Sequence, residues 1–180
     1  MIKICKILLL LSLVGFSCSS ERFILDSDFD FSGDFRKYRS FAFMHISNSP
    51  VGATEEEILK SIVEKRFESM GYRHDDESPD LLVSYKFHYQ PTRIVGFSQY
   101  HLNHWLRNSM DVANLSNREK SYERKTVYLP AGSYSVYFID AKTNRMIWQG
   151  YSGQEKPWTH QQQLVASITR MMDQYQVVAY

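Results

Sequence analysis

The stretch Asp80-Leu-Leu-Val-Ser-Tyr-Lys-Phe-His-Tyr89 alternates in character along its length. Leu81, Val83, Tyr85, Phe87 and Tyr89 fall on one side, and Ser84, Lys86 and His88 on the other. A two-residue period places successive side chains on opposite faces of a strand, so the segment predicts a half-buried β-strand with one apolar and one polar face. A sheet with one wet face is usually antiparallel and covered by helices on its other side.

The flanking segments supply those helices. Thr54-Glu-Glu-Glu57 has the pattern of a capping box and opens a run in which Ile58, Leu59, Ile62, Val63, Phe67 and Met70 recur at helical spacing. The acidic start suits the positive end of the helix dipole, and Gly71 supplies a left-handed exit. A helix is therefore expected over 54–70. A second capping-box pattern, Thr159-His-Gln-Gln162, precedes a stripe of Leu164, Val165, Ile168, Met172 and Tyr175, which predicts a C-terminal amphipathic helix over about 160–175.

Further strands follow from the same reasoning. Arg22–Leu25 and Arg39–Ile46 read as strands, with Phe41 and Phe43 at alternate positions. Between them lies the turn-rich segment Asp30–Tyr38, so the two are expected to pair as a hairpin with a long connection. Ser133–Asp140 and Arg145–Tyr151 flank the polar turn Ala141-Lys-Thr-Asn144, whose Asn144 suits a positive φ. Aromatic residues make up 14% of the chain, in keeping with half-buried sheet surfaces. The expected fold is α+β, a mostly antiparallel sheet with two helices packed on one face. Its order is β-β-α-β, an insert, then β-β-α. The insert, about 90–132, is expected to be irregular apart from a short strand at Thr126–Leu129 and a short helix suggested by Leu102, Trp105, Leu106 and Met110.

The N-terminus carries a targeting signal. Lys3 and Lys6 precede the eight-residue apolar run Ile7–Val14, followed by small residues at Gly15 and Ser17. Eight residues fall far short of the roughly 20 that a membrane-spanning helix needs. Cys18, which follows Ser17 and precedes Ser19-Ser20, resembles the lipobox of bacterial lipoproteins. In those proteins the cysteine is acylated and becomes the first mature residue. Residues 1–17 then form the signal peptide and 18–180 one α+β domain, anchored to the membrane through Cys18. The pattern departs from the usual lipobox, with Gly15 where Leu is typical and Phe16 where a small residue is typical. Ordinary signal cleavage also fits Gly15 and Ser17 and leaves Cys18 free. Cys5 lies within the removed segment, so the exported chain has no cysteine pair, and acylation would occupy an otherwise exposed thiol. Loss of Lys3 and Lys6 reduces 21 basic residues to 19 against 20 acidic ones, a formal charge of −1 that gives no basis for a nucleic-acid partner.

Four pieces in order, Asp34–Phe41, Gly71-Tyr72, Ser78–Tyr85 and Ile139–Gly150, resemble the bacterial lipoprotein family called domain of unknown function 4136. The resemblance spans nearly the whole mature chain. It implies the α+β fold and a place in the cell envelope, most simply the outer membrane, and it implies no reaction. The chain departs from the family in its insert, where many relatives are glycine-rich and this one has only Gly96 between Gln90 and Ala131.

Candidate chemistry is sparse. His101 and His104 would share a helical face, with Trp105 beside them and Asp111 as a conceivable third ligand, but they lack the spacing of a full zinc motif. Asp75-Asp-Glu77 reads as a solvated turn rather than a calcium loop. His88 shares the polar strand face with Ser84 and Lys86, without a nucleophile elbow. Gly150–Gly153 lacks the helix start of a phosphate loop. Trp148 reads as a core residue and Trp158 as a staple before the last helix. Trp105, within the insert, is the candidate for partner contact. The reading is therefore a tethered binding or scaffolding module with an envelope protein partner and no catalytic, metal or cofactor residues assigned. The alternative is a metal-assisted or serine-dependent envelope hydrolase.

Overall fold

The computed structural model describes residues 23–44, 53–99, 102–108, 123–154 and 161–179. The strands are β1 (Phe23–Phe29), β2 (Ser40–Phe43), β3 (Arg73–His74), β4 (Leu81–His88), β5 (Thr92–Phe97), β6 (Arg124–Leu129), β7 (Ser133–Asp140) and β8 (Arg145–Gln154). The helices are α1 (Ala53–Ser69), α2 (Leu102–Asn108) and α3 (Gln161–Met172), and a 3₁₀ turn spans Phe35–Lys37. Six strands form one sheet in the order β1-β8-β7-β4-β2-β3, while β5 and β6 form a separate two-stranded sheet. Main-sheet pairs are antiparallel except those of β2, which runs parallel to β3 and β4.

The expected α+β sandwich is present, with α1 and α3 on one face. Leu59, Val63 and Phe67 of α1 and Leu164, Ile168, Met171 and Met172 of α3 share a core with Leu81, Val83, Val136, Phe138 and Trp148 from the sheet. Aromatic packing ties the layers together. Phe67 stacks on Phe41 at 4.7 Å and meets Phe138 edge-on at 4.9 Å, while Phe138 stacks on Trp148 at 4.5 Å. Such ring pairs add about 0.5–1.5 kcal/mol each beyond the area they bury. Trp148 is fully buried, as its sheet position predicts.

The expected β1–β2 hairpin does not form. β1 pairs with β8 from Phe23↔Gln154 to Phe29↔Trp148, and β2 lies beside β4 with three strands between it and β1. A reciprocal clamp sets this arrangement. The Asp80 carboxylate accepts the amides of Arg39 (2.8 Å) and Ser40 (3.3 Å), and the Ser40 hydroxyl accepts the amide of Asp80 (3.0 Å). These bonds hold the first residues of β2 and β4 side by side, so the two strands run in the same direction.

The hairpin joining β7 and β8 forms as expected, with Asn144 at φ 53°. Asp140 organises it by accepting the amides of Lys142 and Thr143, both at 2.9 Å, as well as the Tyr38 hydroxyl at 2.9 Å and Lys37 at 2.7 Å. Gly71 ends α1 at φ 87°. α1 begins at Ala53, which places Thr54 inside its first turn rather than at the cap. α3 stops at Met172, so Tyr175 lies beyond it, yet Tyr175 is fully buried and exchanges a 3.0 Å hydroxyl contact with Tyr72. The cap expected at Thr159 and the staple at Trp158 lie outside the described residues.

The insert is more regular than its composition suggests. β5 and β6 pair antiparallel from Thr92↔Leu129 to Phe97↔Arg124, and α2 follows β5. No helix among the described residues is long and apolar enough to cross a membrane.

Candidate functional site

The face of the main sheet away from α1 and α3 carries the polar side chains of its strands. Asp26 and Asp28 of β1 lie opposite Tyr151 and Gln149 of β8, and Ser135 of β7 lies opposite Tyr151. The β5–β6 sheet folds over the β1–β8 half of this face. Lys125 forms an ion pair with Asp26, the Phe97 amide donates to Asp28 at 3.2 Å, and a side chain added at Gly153 would come within 3.3 Å of Pro130. Gly96 passes so close to β1 that a Cβ there would lie 2.4 Å from the Asp28 carboxylate. Only glycine lets β5 approach this closely.

A cleft of about 740 Å³ opens between β5 and the adjoining ends of β1 and β8. Phe31, Val95, Phe97 and Met146 give it apolar walls, and Asp28 with Gln149 supplies a polar floor. Asp28 is buried, and its second oxygen accepts the Gln149 amide at 2.9 Å. Burial raises its pKa, while the hydrogen bonds from Gln149 and Phe97 and the charge of Lys125 only partly oppose this. Gln99 acts as a surrogate strand on the outer edge of β1. Its side-chain carbonyl accepts the Phe29 amide at 2.8 Å, and its amide donates to the Phe29 carbonyl at 2.9 Å. An edge capped in this way is closed to further strand pairing there. At the rim, Arg145 bridges Asp30 and Ser32. Val95, Phe97 and Met146 stay substantially exposed at the mouth. Apolar walls around a few convergent polar groups are the usual make-up of a ligand site.

Beside the cleft, the Tyr151 hydroxyl is buried without a well-formed hydrogen bond among the described residues, close enough to Asp26 and Asp28 to feel their charges. Burial, then those two carboxylates, drive its pKa far above the phenol range. His88 is buried rather than on a wet face, and its Nε2 lies 3.0 Å from the Ser135 hydroxyl on the neighbouring strand. Burial and nearby Lys86 lower its pKa, so the ring is neutral near pH 7. Among the described residues no hydrogen-bond partner meets its Nδ1 and no carboxylate orients the imidazole as an acyl-transfer triad requires.

Trp105 is half-buried on α2, packed against Phe29 at 5.5 Å, Phe35 at 6.1 Å and Phe31 at 6.2 Å. It backs Phe31, which lines the cleft. Cys18, His101 and Asp111 lie outside the described residues, as does the His104 side chain. Asp75 accepts the amides of Glu77 (3.2 Å) and Ser78 (3.0 Å), which makes Asp75–Glu77 a self-bonded surface turn. Among the described residues no three His, Cys, Asp or Glu side chains converge as metal ligands. Asp28 lies beyond the strand expected over Arg22–Leu25 and is not among the residues that the sequence alone singles out. The available signal was the alternation Leu25-Asp-Ser-Asp-Phe29, which continues β1 with its carboxylates on one face.

Fold and site together define a two-layer α+β domain with an open cleft between its main sheet and a small second sheet. The chain belongs to the DUF4136 family, a domain of unknown function, whose model matches residues 25–175. A DUF4136 family protein from Bacteroides thetaiotaomicron VPI-5482 has a similar structure, with a TM-score of 0.57 at 12% identity over 87% of this chain and 97% of that one. A PDZ domain protein from Parabacteroides distasonis ATCC 8503 is also similar, with a TM-score of 0.50 at 16% identity over 94% of this chain and 39% of that one. At these identities the likeness is one of fold alone. No curated protein matches the chain.

Proposed function

We propose that this protein is a cell-envelope lipoprotein, tethered through Cys18 to the membrane, most simply the outer membrane, and that it works by binding another envelope component in the cleft between β5 and the β1–β8 edge. The single observation carrying the reading is Asp28. A carboxylate held buried at the floor of an open cleft disfavours the folded state when ionised, and such groups concentrate where they meet a ligand. The preferred ligand brings a hydrogen-bond donor or cation to Asp28 and an apolar group to Val95, Phe97 and Met146. Confinement to a membrane raises the local concentration of its partners, so a modest intrinsic affinity suffices.

The test is site-specific photo-crosslinking in intact cells, with a photoreactive residue replacing Phe97 and, as control, Glu68 on α1. The expected result is a discrete adduct from position 97, absent from position 68 and lost when Asp28→Asn is added. Equal adducts at both positions, or an adduct indifferent to Asp28→Asn, overturn the reading. Mass spectrometry of the native N-terminus tests the tether, and an unmodified Cys18 or a start at Glu21 refutes it.

A further inference from the structure

The outer face of the β5–β6 sheet differs from its inner face in both charge and apolarity. The inner face carries Gly96 over Asp28, Lys125 paired with Asp26, and the fully buried Leu129. On the outer face the cross-strand pairs are Arg93 with Tyr128, Val95 with Thr126, and Phe97 with Arg124. Tyr128 is 69% exposed, Phe97 45% and Val95 38%. Among the described residues neither Arg93 nor Arg124 forms an ion pair, and this outer face holds no acidic side chain. Its two free cations stand out in an exported chain that is nearly neutral.

The position of this face relative to the tether supplies the second argument. Pro130, which directly follows β6, approaches Gly153, and Gly153 pairs with Ile24 at the start of β1. The Thr92/Leu129 end of the small sheet thus overlies the end of the main sheet where the chain enters from Cys18. Four residues lie between Cys18 and Phe23, and five steps of at most ~3.5 Å keep Phe23, at the neighbouring start of β1, within about 18 Å of an anchored cysteine.

We propose that the outer face of β5–β6 seats on the surface of a membrane rich in anionic phospholipid. Arg93 and Arg124 would meet the phosphates, and Tyr128, Phe97 and Val95 would sit at headgroup depth. This deepens the tether reading and rests on it. Juxtamembrane cations each favour an anionic surface, and aromatic rings settle at the interface. Because Val95 and Phe97 also line the cleft, seating would hold its mouth at the bilayer and favour partners presented there.

The experiment places a nitroxide on the lipidated protein at Thr126→Cys or, as control, Glu68→Cys. The protein is bound to vesicles containing phosphatidylglycerol or to vesicles of phosphatidylcholine alone. The expected result is that the Thr126 label is shielded from a water-soluble relaxant on the anionic vesicles while the Glu68 label is not. Shielding should disappear in high salt and in the Arg93→Gln/Arg124→Gln variant. A Thr126 label as water-accessible as the Glu68 label on anionic vesicles overturns the proposal and leaves the face to a protein partner. Shielding that is equal on neutral vesicles overturns it as well. If the native N-terminus proves unacylated, the tether reading fails separately. The same labels on a chain held to a chelating lipid through an N-terminal histidine tag then test the face alone, with the same outcomes deciding it.

Discussion

Two buried aspartates show how one side chain serves opposite ends. Burial disfavours ionisation of Asp140, but hydrogen bonds from Lys37, the Thr143 amide, Tyr38 and the Lys142 amide outweigh it and hold its pKa far below the carboxylate range. A depressed pKa adds stability that is present above the unfolded value near 3.8 and is lost as pH falls through the folded one. Asp140→Asn should therefore cost about 2–3 kcal/mol at pH 7, measured by urea unfolding, and the gap to the native chain should narrow below pH ~4. Asp28 has the opposite sign. Its raised pKa favours the fold at low pH, and that contribution is lost as pH rises through the folded value, so at pH 7 the ionised group opposes folding. Asp28→Asn is expected to raise stability at pH 7 by about 0.5–2 kcal/mol while weakening capture at the cleft, a trade-off typical of binding residues. A variant that loses stability at pH 7 contradicts this account. His88 adds a third term. It binds a proton less readily in the fold than in the unfolded chain, so stability falls as pH drops through and below 6.5. His88→Gln should flatten the change in urea midpoint between pH 7.5 and 5.5.

At the level of elements, what could be read from the sequence depended on whether local pattern and tertiary burial agreed. β4 and α1 were legible because each keeps one periodicity whose apolar side meets the core, even though His88 on the polar side of β4 is buried as well. β5 was not. In Thr92-Arg-Ile-Val-Gly-Phe97 the apolar residues fall on both faces, since Ile94 turns inward while Val95 and Phe97 turn outward to the cleft mouth. Its glycine, which reads as a strand breaker, is there because Asp28 leaves no room for a Cβ. The β1–β2 hairpin failed for another reason, because adjacency in sequence says nothing of a clamp between Asp80 and Ser40 that recruits β4 instead. The cleft was illegible because it is assembled from an unrecognised strand and an aspartate beyond the end of the strand expected at Arg22–Leu25. Gly96→Ala tests the close approach. The added methyl must displace Asp28 or lift β5, so a loss of about 1–3 kcal/mol is expected, with faster amide exchange confined first to β5 and β6. Unchanged exchange there would mean that β5 does not depend on this contact.

Over the whole molecule, the segments that carry the family resemblance turn out to be joints of the fold. Tyr38 and Asp140, Asp80 and Ser40, and Tyr72 and Tyr175 each join parts of the chain distant in sequence. This explains why membership conveys the architecture. The tail after α3 is the last of these joints. Ala179 donates to the Met70 carbonyl at 2.9 Å, Gln174 accepts from Ser27 at 2.8 Å, and Tyr175 packs on Phe138 at 4.8 Å and on Trp148 at 5.6 Å. One irregular segment thus closes the end of α1, holds β1 and completes the core. Removing a buried aromatic side chain costs about 3–5 kcal/mol, against a total stability of about 5–15 kcal/mol for a domain. Tyr175→Ala is therefore expected to bring the whole domain, tail and sheet together, close to unfolding at 37 °C in a single transition. Tyr175→Phe, which loses only the hydroxyl contact with Tyr72, should cost about 1 kcal/mol. Thermal melts followed by circular dichroism separate the two. A Tyr175→Ala melting point within a few degrees of the native chain would mean that the tail is dispensable and that the core closes without it.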